Sequence, residues 1–275
     1  MMGKMIGKSV ALAVATVAMV SLVTSVSAAT LYDSNGFESP VYSTGGTGDV
    51  AGQDHWTAAA NPSRDGVVDF GGGIVADGSG QYVSLSRGLQ AQDGVGAWYQ
   101  PISYTKSAET PIVQTTWAMG IASSEFPGGL FGLELYNSAQ NKVVAGLWVD
   151  SETGSLQIDA AGGSNTVVPG VGLLNNTWAN YGISANFQTG KFTVSINGGD
   201  VGTWDVVNSL DSIDYVRLVS WGQYSALAHT SSQDTYGLQS YASVDGLLVS
   251  AVPEPGVLAL VGSGIGLLMT RRRQR

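Results

Sequence analysis

The stretch Trp178-Ala-Asn-Tyr-Gly-Ile-Ser-Ala-Asn-Phe-Gln-Thr-Gly-Lys-Phe-Thr-Val-Ser-Ile-Asn-Gly198 alternates twice with a turn between. Tyr181, Ile183, Ala185 and Phe187 fall on one face of a first strand. Gln188-Thr-Gly190 reads as the turn. Phe192, Val194 and Ile196 then face inward on a second strand, with Thr193 and Ser195 outside. A period of two with a glycine turn is the signature of a half-buried hairpin. Asn197-Gly-Gly-Asp200 reads as the next turn.

The same pattern extends outward. Ile112 to Ile121 places Val113, Thr115, Trp117, Met119 and Ile121 on one face, with Gln114 and Thr116 on the other. Leu130–Asn137 and Lys142–Val149 form a hairpin around Ser138-Ala-Gln-Asn141. Asp150-Ser-Glu-Thr-Gly154 turns into Ser155–Ala160, where Leu156, Ile158 and Ala160 point inward. Leu31–Glu38 reads as a first edge strand. Val67–Phe70, Gly73–Ala76, Gln81–Ser86, Ile213–Trp221 and Tyr241–Ser250 complete a set of a dozen or more strands. No amphipathic helix interrupts them. With 38 glycines and only 12% charged residues, the chain reads as all-β, a two-sheet antiparallel sandwich or jelly roll.

The two ends differ from this body. Lys4 and Lys8 precede an apolar run from Val10 to Val23, then Ser25-Val-Ser-Ala-Ala29. That is the build of a secretory signal peptide, residues 1–28, cut after Ala28. An uncleaved N-terminal anchor is the competing reading. The sandwich spans residues 29–251, and the C-terminal segment 252–275 carries Pro253-Glu254-Pro255, an uncharged run from Gly256 to Thr270, and Arg271, Arg272, Arg273 and Arg275. As a helix the apolar run spans about 22 Å, short of the roughly 30 Å hydrocarbon core. The arginines stay cytoplasmic by the positive-inside rule. An ordinary C-terminal membrane anchor is the alternative.

Charge and composition exclude several functions. Six of the 12 basic residues lie in the two end segments, whereas Glu254 alone of the 21 acidic residues does, so the body is near −14. Such a surface excludes a nucleic-acid partner. It suits an extracellular protein, or cation-bridged association with acidic polymers. There is no cysteine, so an exported fold must be held by its core.

The C-terminal segment resembles the PEP-CTERM sorting signal of Gram-negative bacteria, on Pro253-Glu254-Pro255, the apolar run and the arginines together. The resemblance implies processing by signal peptidase and by an exosortase, a membrane transpeptidase-like enzyme that removes the tail near the motif. It implies transient membrane insertion, an inner-membrane intermediate, then release to the cell surface or matrix alongside exopolysaccharide. The Trp178–Gly198 hairpin is similar to one found in concanavalin A-like and LamG-like sandwiches. Gly36-Phe-Glu-Ser-Pro40 with Ala51-Gly-Gln-Asp54 and Trp56 is similar to the N-terminal segment of PEP-CTERM proteins carrying such domains.

Catalytic motifs are sparse. A glycosidase needs two carboxylates about 5 to 9 Å apart, and the Glu-x-Asp-x-x-Glu motif of concanavalin-like glucanases is absent. Asp150/Glu152 and Asp211/Asp214 read as turn residues. Glu134 and Tyr136 lie opposite in face to Leu133 and Leu135, and Trp148 opposite to Leu147 and Val149. These three are the candidate carbohydrate-binding residues, with Glu134 the first choice of a catalytic acid under a glycoside hydrolase or lyase reading. His55 and His229 stand apart in loops, without the clustering that zinc requires. No Gly-x-Ser-x-Gly elbow or phosphate loop is present. Calcium is the one cofactor the sequence points to, with Glu38 near the first strand and Asp245 on the last as candidate ligands, and Asp33 and Asp54 as further ones.

Overall fold

A computed structural model describes residues 27–44, 50–58, 66–70, 80–87, 95–122, 129–160, 166–169, 171, 177–206, 210–222 and 240–254. The signal segment up to residue 26, Pro255, the apolar run, the four terminal arginines, Gly73–Ala76 and His229 lie outside the described residues. Among the described residues no helix is long and apolar enough to cross a membrane.

The strands are β1 (Ala29–Asp33), β2 (Thr57–Ala58), β3 (Gly66–Phe70), β4 (Gln81–Arg87), β5 (Val95–Thr105), β6 (Ile112–Ile121), β7 (Gly129–Asn137) and β8 (Lys142–Asp150). They continue with β9 (Leu156–Asp159), β10 (Thr166–Val168), β11 (Trp178–Asn186), β12 (Lys191–Ile196), β13 (Gly199–Asp205), β14 (Ser212–Gly222) and β15 (Ser240–Val252). One short 3-10 turn, Asn35–Phe37, follows β1. The first sheet runs β13-β12-β11-β6-β15-β4-β3, with β1 also paired to β15. The second runs β10-β9-β8-β7-β14-β5-β2. Every pairing is antiparallel. This is a two-sheet β-sandwich, as the alternation predicts.

The inner faces carry the core. Val113, Thr115, Trp117, Met119 and Ile121 of β6 are buried, as are Tyr181, Ile183, Ala185, Phe192 and Val194 of the β11–β12 hairpin. Their register matches the reading: Tyr181 faces Ile196, Ile183 faces Val194, and Ala185 faces Phe192. From the second sheet, Leu133, Leu135, Leu147, Val149, Leu156, Ile158, Val216 and Leu218 meet them in the same cluster.

Three local readings are corrected. Leu31–Glu38 is not one strand: β1 ends at Asp33, and Asn35, Gly36 and Phe37 take positive φ, which breaks the extended run. The Asn197-Gly198 pair alone makes the turn, with φ of 51° and 78°, and the chain returns at once as β13. β5 goes unread in the sequence because Pro101 interrupts it; Trp98, Gln100, Ile102 and Tyr104 nevertheless face inward. Pro101 sits beside an irregularity in the β14 register, where a missing N–H is tolerated. Ala160 lies one residue past β9 and, half-buried, still packs against the core, as expected. The short edge strand β10 is also additional.

The N-terminal segment closes the sandwich rather than merely edging it. Phe37, Tyr42, Val50 and Trp56 are all buried. The indole N–H of Trp56 donates to the hydroxyls of Tyr32 at 3.0 Å and Tyr42 at 3.1 Å, which bond each other at 2.6 Å. Tyr42 then donates to Asp54 Oδ2 at 3.0 Å. Each polar tip of the aromatic plug thus has a partner, which makes its burial affordable. Burial drives both tyrosine hydroxyls far above their ordinary pKa.

Candidate functional site: the outer face of the second sheet

Strand alternation sends Glu134 and Tyr136 of β7 away from the core, on the same face as Trp148 of β8. The register brings further side chains to that face. Arg217 of β14 stands opposite Glu134, and Tyr215 opposite Tyr136. Tyr99 of β5 stands opposite Arg217, and Asp159 of β9 opposite Gly146 of β8, which itself faces Glu134. The three sequence-predicted residues are therefore gathered into one constellation, together with four that the sequence reading did not name.

Arg217 is its hub. Its Nε donates to Glu134 Oε2, and its Nη1 donates to the Tyr99 hydroxyl at 3.3 Å. The guanidinium lies 4.1 Å from the Tyr136 ring centroid and 5.7 Å from that of Tyr99, within cation–π range. Tyr99 packs edge-on against Tyr136 at 6.0 Å and Tyr215 at 5.7 Å. The Tyr136 hydroxyl donates to Asn141 Oδ1. Glu134 is 2% exposed although it points away from the core; its neighbours cover it. Trp148 and Tyr136 are buried too, while Tyr99, Tyr215, Arg217 and Asp159 remain half-buried.

Two glycines make the arrangement possible. A Cβ on Gly146 would come within 3.2 Å of both Glu134 Cγ and Asp159 Cβ, so its absence leaves the two carboxylate side chains flanking one small gap. A Cβ on Gly132 would meet the Leu147 carbonyl oxygen at 1.9 Å, so only glycine lets β8 approach β7 there.

Burial pushes the Glu134 carboxyl up to about 7, against the pull of the Arg217 guanidinium and its hydrogen bond. Burial also raises Asp159, again opposed by Arg217. Desolvation outweighing an adjacent cation marks a low-dielectric pocket, a common mark of functional carboxylates and of structural ion pairs alike.

The remaining candidates lie elsewhere. Glu38 Oε1 accepts the amides of Gly80 at 2.5 Å and Gln81 at 2.8 Å. Asp33 Oδ1 accepts the Asn35 amide, and Asp54 accepts from Tyr42. Asp245 is buried at a β-bulge, where its Oδ1 accepts the Gly246 amide at 2.7 Å. It lines a polar cavity of about 610 Å³ on the outer side of the first sheet, with Gln114, Thr116, Asn180, Ser195 and Asp200; Glu38 is not among the lining residues. Among the described residues no group of three His, Asp or Glu side chains could hold a metal ion. Asp150 caps the amides of Glu152 and Thr153. Asp214 is held below its ordinary pKa by the Ser138 hydroxyl and amide. Asp150 serves the turn after β8, as expected, whereas Asp214 lies within β14 and braces the β7–β8 turn through Ser138, a correction to the turn reading. His55 sits in a tight turn at φ 67°. Pro253 is buried and Glu254 half-buried directly after β15.

No protein-family model matches the chain, and no curated protein matches its sequence. Solved structures resemble the chain to differing degrees. A carbohydrate esterase of the Shiga toxin-encoding bacteriophage phi24B superposes with a TM-score of 0.51 at 14% identity, over 82% of this chain and 99% of that one. A sialidase gives 0.49 at 8% identity over 71% of this chain, which spans only 17% of the sialidase. An endo-β-1,4-glucuronan lyase of Trichoderma reesei gives 0.43 at 11% identity, over 75% and 94%. At 14% identity the likeness to the esterase extends to the β-sandwich architecture alone.

Proposed function

We propose that this chain is an exported, exosortase-sorted sandwich of the concanavalin A-like/LamG-like kind, which resides at the cell surface or in the extracellular matrix and binds polysaccharide without turning it over. The supporting observation is the cluster of Tyr99, Tyr136, Tyr215 and Arg217 on one outer sheet face. Aromatic rings offer apolar faces to the C–H side of a sugar, and a guanidinium is a donor type suited to hydroxyls or carboxylates. Signal peptidase, exosortase and the membrane are partners in processing; the acidic body has no nucleic-acid partner. The aromatic face is the binding site in this reading, and calcium has no part in it.

The non-catalytic assignment is supported by Glu134 itself. Its carboxylate is engaged by Arg217 and is almost wholly covered, whereas a general acid must reach the glycosidic oxygen. A glycoside hydrolase or lyase is the second reading, favoured by Asp159 and Glu134 flanking Gly146. Co-sedimentation of the purified protein with the producing cell's exopolysaccharide, followed by assay of the supernatant for new reducing or unsaturated ends, separates the two. Binding with no new ends supports the proposal. New ends that vanish in Glu134→Gln support the enzyme. No co-sedimentation removes the binding assignment.

A further inference from the structure

The cavity of about 610 Å³ on the outer side of the first sheet has the size of a small-ligand pocket. Small residues open it. Ala118, Gly198 and Gly246 are in its lining. A Cβ on Gly182 would come within 2.6 Å of Ser195 Oγ, so glycine there leaves that hydroxyl its place in the wall. A β-bulge shapes one side. Asp245 pairs with Ala118 and Leu248 with Thr116, so β15 holds an extra residue between them, and Gly246 takes a φ of 57° to accommodate it. An aromatic pair stands beside the cavity on the same face. Trp178 pairs with Gly120 as Asn180 does with Ala118, one row along. Its indole lies across Gly120, where a Cβ would meet ring carbons at 3.2 and 3.3 Å. Tyr82 of β4 packs edge-on against Trp178, with ring centroids 6.3 Å apart. Both residues are half-buried and keep surface toward solvent.

We propose that this cavity is a second carbohydrate site, which takes a neutral, hydroxyl-rich glycan segment on the side of the sandwich opposite the Tyr99–Arg217 cluster. The inference goes beyond the aromatic-face reading and does not depend on it. The lining sets the ligand class. Gln114 and Asn180 supply amides, Thr116 and Ser195 hydroxyls, and Asp200 and Asp245 carboxylates. Amides and hydroxyls both donate and accept, as sugar hydroxyls do, and carboxylates accept from those hydroxyls. Among the described residues that line the cavity none is Lys, Arg or His. Two carboxylates without a cation repel uronates, sulfates and phosphates. The second sheet differs on this point, because a guanidinium is the centre of its cluster. Gln114, Thr116 and Asn180 are exposed, so they meet a ligand without disturbing the core. Trp178 offers an apolar surface to the C–H side of the adjoining sugar unit.

The test is calorimetric titration of neutral hexasaccharides of glucose, mannose and galactose units, and of a hexauronate, into wild type, Thr116→Ala/Asn180→Ala and Tyr99→Ala/Tyr215→Ala. Thr116 and Asn180 are exposed strand residues whose truncation leaves the backbone pairing in place, and an unchanged thermal midpoint checks that each variant is folded. We expect at least one neutral hexasaccharide to bind wild type and the Tyr99→Ala/Tyr215→Ala protein alike. Its binding to the Thr116→Ala/Asn180→Ala protein should be weaker by roughly tenfold or more, through the loss of two side-chain hydrogen-bonding groups. No neutral binding, or equal affinity in wild type and Thr116→Ala/Asn180→Ala, overturns the second site. Neutral binding lost only in Tyr99→Ala/Tyr215→Ala also overturns it and leaves the aromatic-face reading standing. Hexauronate binding that is lost in Thr116→Ala/Asn180→Ala overturns the ligand class. The expected neutral binding, found with an exopolysaccharide affinity that Tyr99→Ala/Tyr215→Ala does not change, supports this site and removes the aromatic-face reading.

Discussion

Arg217 and Glu134 are direct cross-strand partners in the β14–β7 ladder, joined by a hydrogen-bonded ion pair although 83 residues separate them in the chain. The pair lies on the outer side of its sheet yet is withdrawn from water. That geometry has consequences that can be measured.

Removing one partner leaves the other buried without compensation. Arg217→Ala should cost about 3 kcal/mol at pH 8, read from the urea midpoint. Replacing both, as Glu134→Met with Arg217→Met, should recover most of that loss, because an apolar pair of similar volume avoids the cost of desolvating two charges. Equal destabilisation in the single and double variants would contradict this.

The pH dependence follows from the sign of the shift. Glu134 is raised from 4.5 to about 7 in the folded state, so the folded protein holds its proton longer than the unfolded chain. The stability this contributes is complete below about pH 4.5 and is lost as pH rises toward 7, by at most about 3 kcal/mol. Glu134→Gln should flatten that fall. Asp159, also raised, should leave a smaller residual slope of the same sign. A profile unchanged by Glu134→Gln would contradict the shift.

Gly132→Ala should be among the most damaging small substitutions, because its methyl group would collide with a backbone oxygen rather than a movable side chain. We expect a loss of about 3 kcal/mol or a failure to fold. Gly146→Ala meets only side-chain atoms. It should cost less, about 1 kcal/mol, while displacing Glu134 and Asp159. Thermal denaturation of the two variants gives the ranking.

Trp56 ties the N-terminal plug to β1. Trp56→Ala should destabilise by about 3–5 kcal/mol through the cavity and the lost bonds to Tyr32 and Tyr42. Tyr42→Phe removes a hydroxyl but leaves Trp56 its bond to Tyr32, and should cost about 1 kcal/mol. Chemical denaturation monitored by tryptophan fluorescence measures both.

Much of the sandwich was legible because burial on one face imposes a period of two. The β6 alternation and the β11–β12 hairpin show this residue by residue. Pro101 hid β5, since a proline in an apolar run reads as a break until the neighbouring strand's irregularity is seen. β13 was hidden because two residues suffice for its turn and it buries little of itself. The site was legible only in half. Alternation placed Glu134, Tyr136 and Trp148 on a shared outer side. Nothing local to them could name Arg217 or Tyr99, which arrive through strand order. A lone arginine within the otherwise uncharged run Tyr215–Trp221 was the available signal, since an acidic body with six basic residues has little reason to place one mid-strand.

The claim that the aromatic face holds sugar is tested most directly by calorimetric titration of exopolysaccharide into wild type and into a Tyr99→Ala/Tyr215→Ala variant, each shown to be folded. These two half-buried rings are offered to ligand without being needed by the core. Loss of two stacking contacts at about 1 kcal/mol each should weaken binding at least tenfold. Equal affinity in the two proteins would contradict the account.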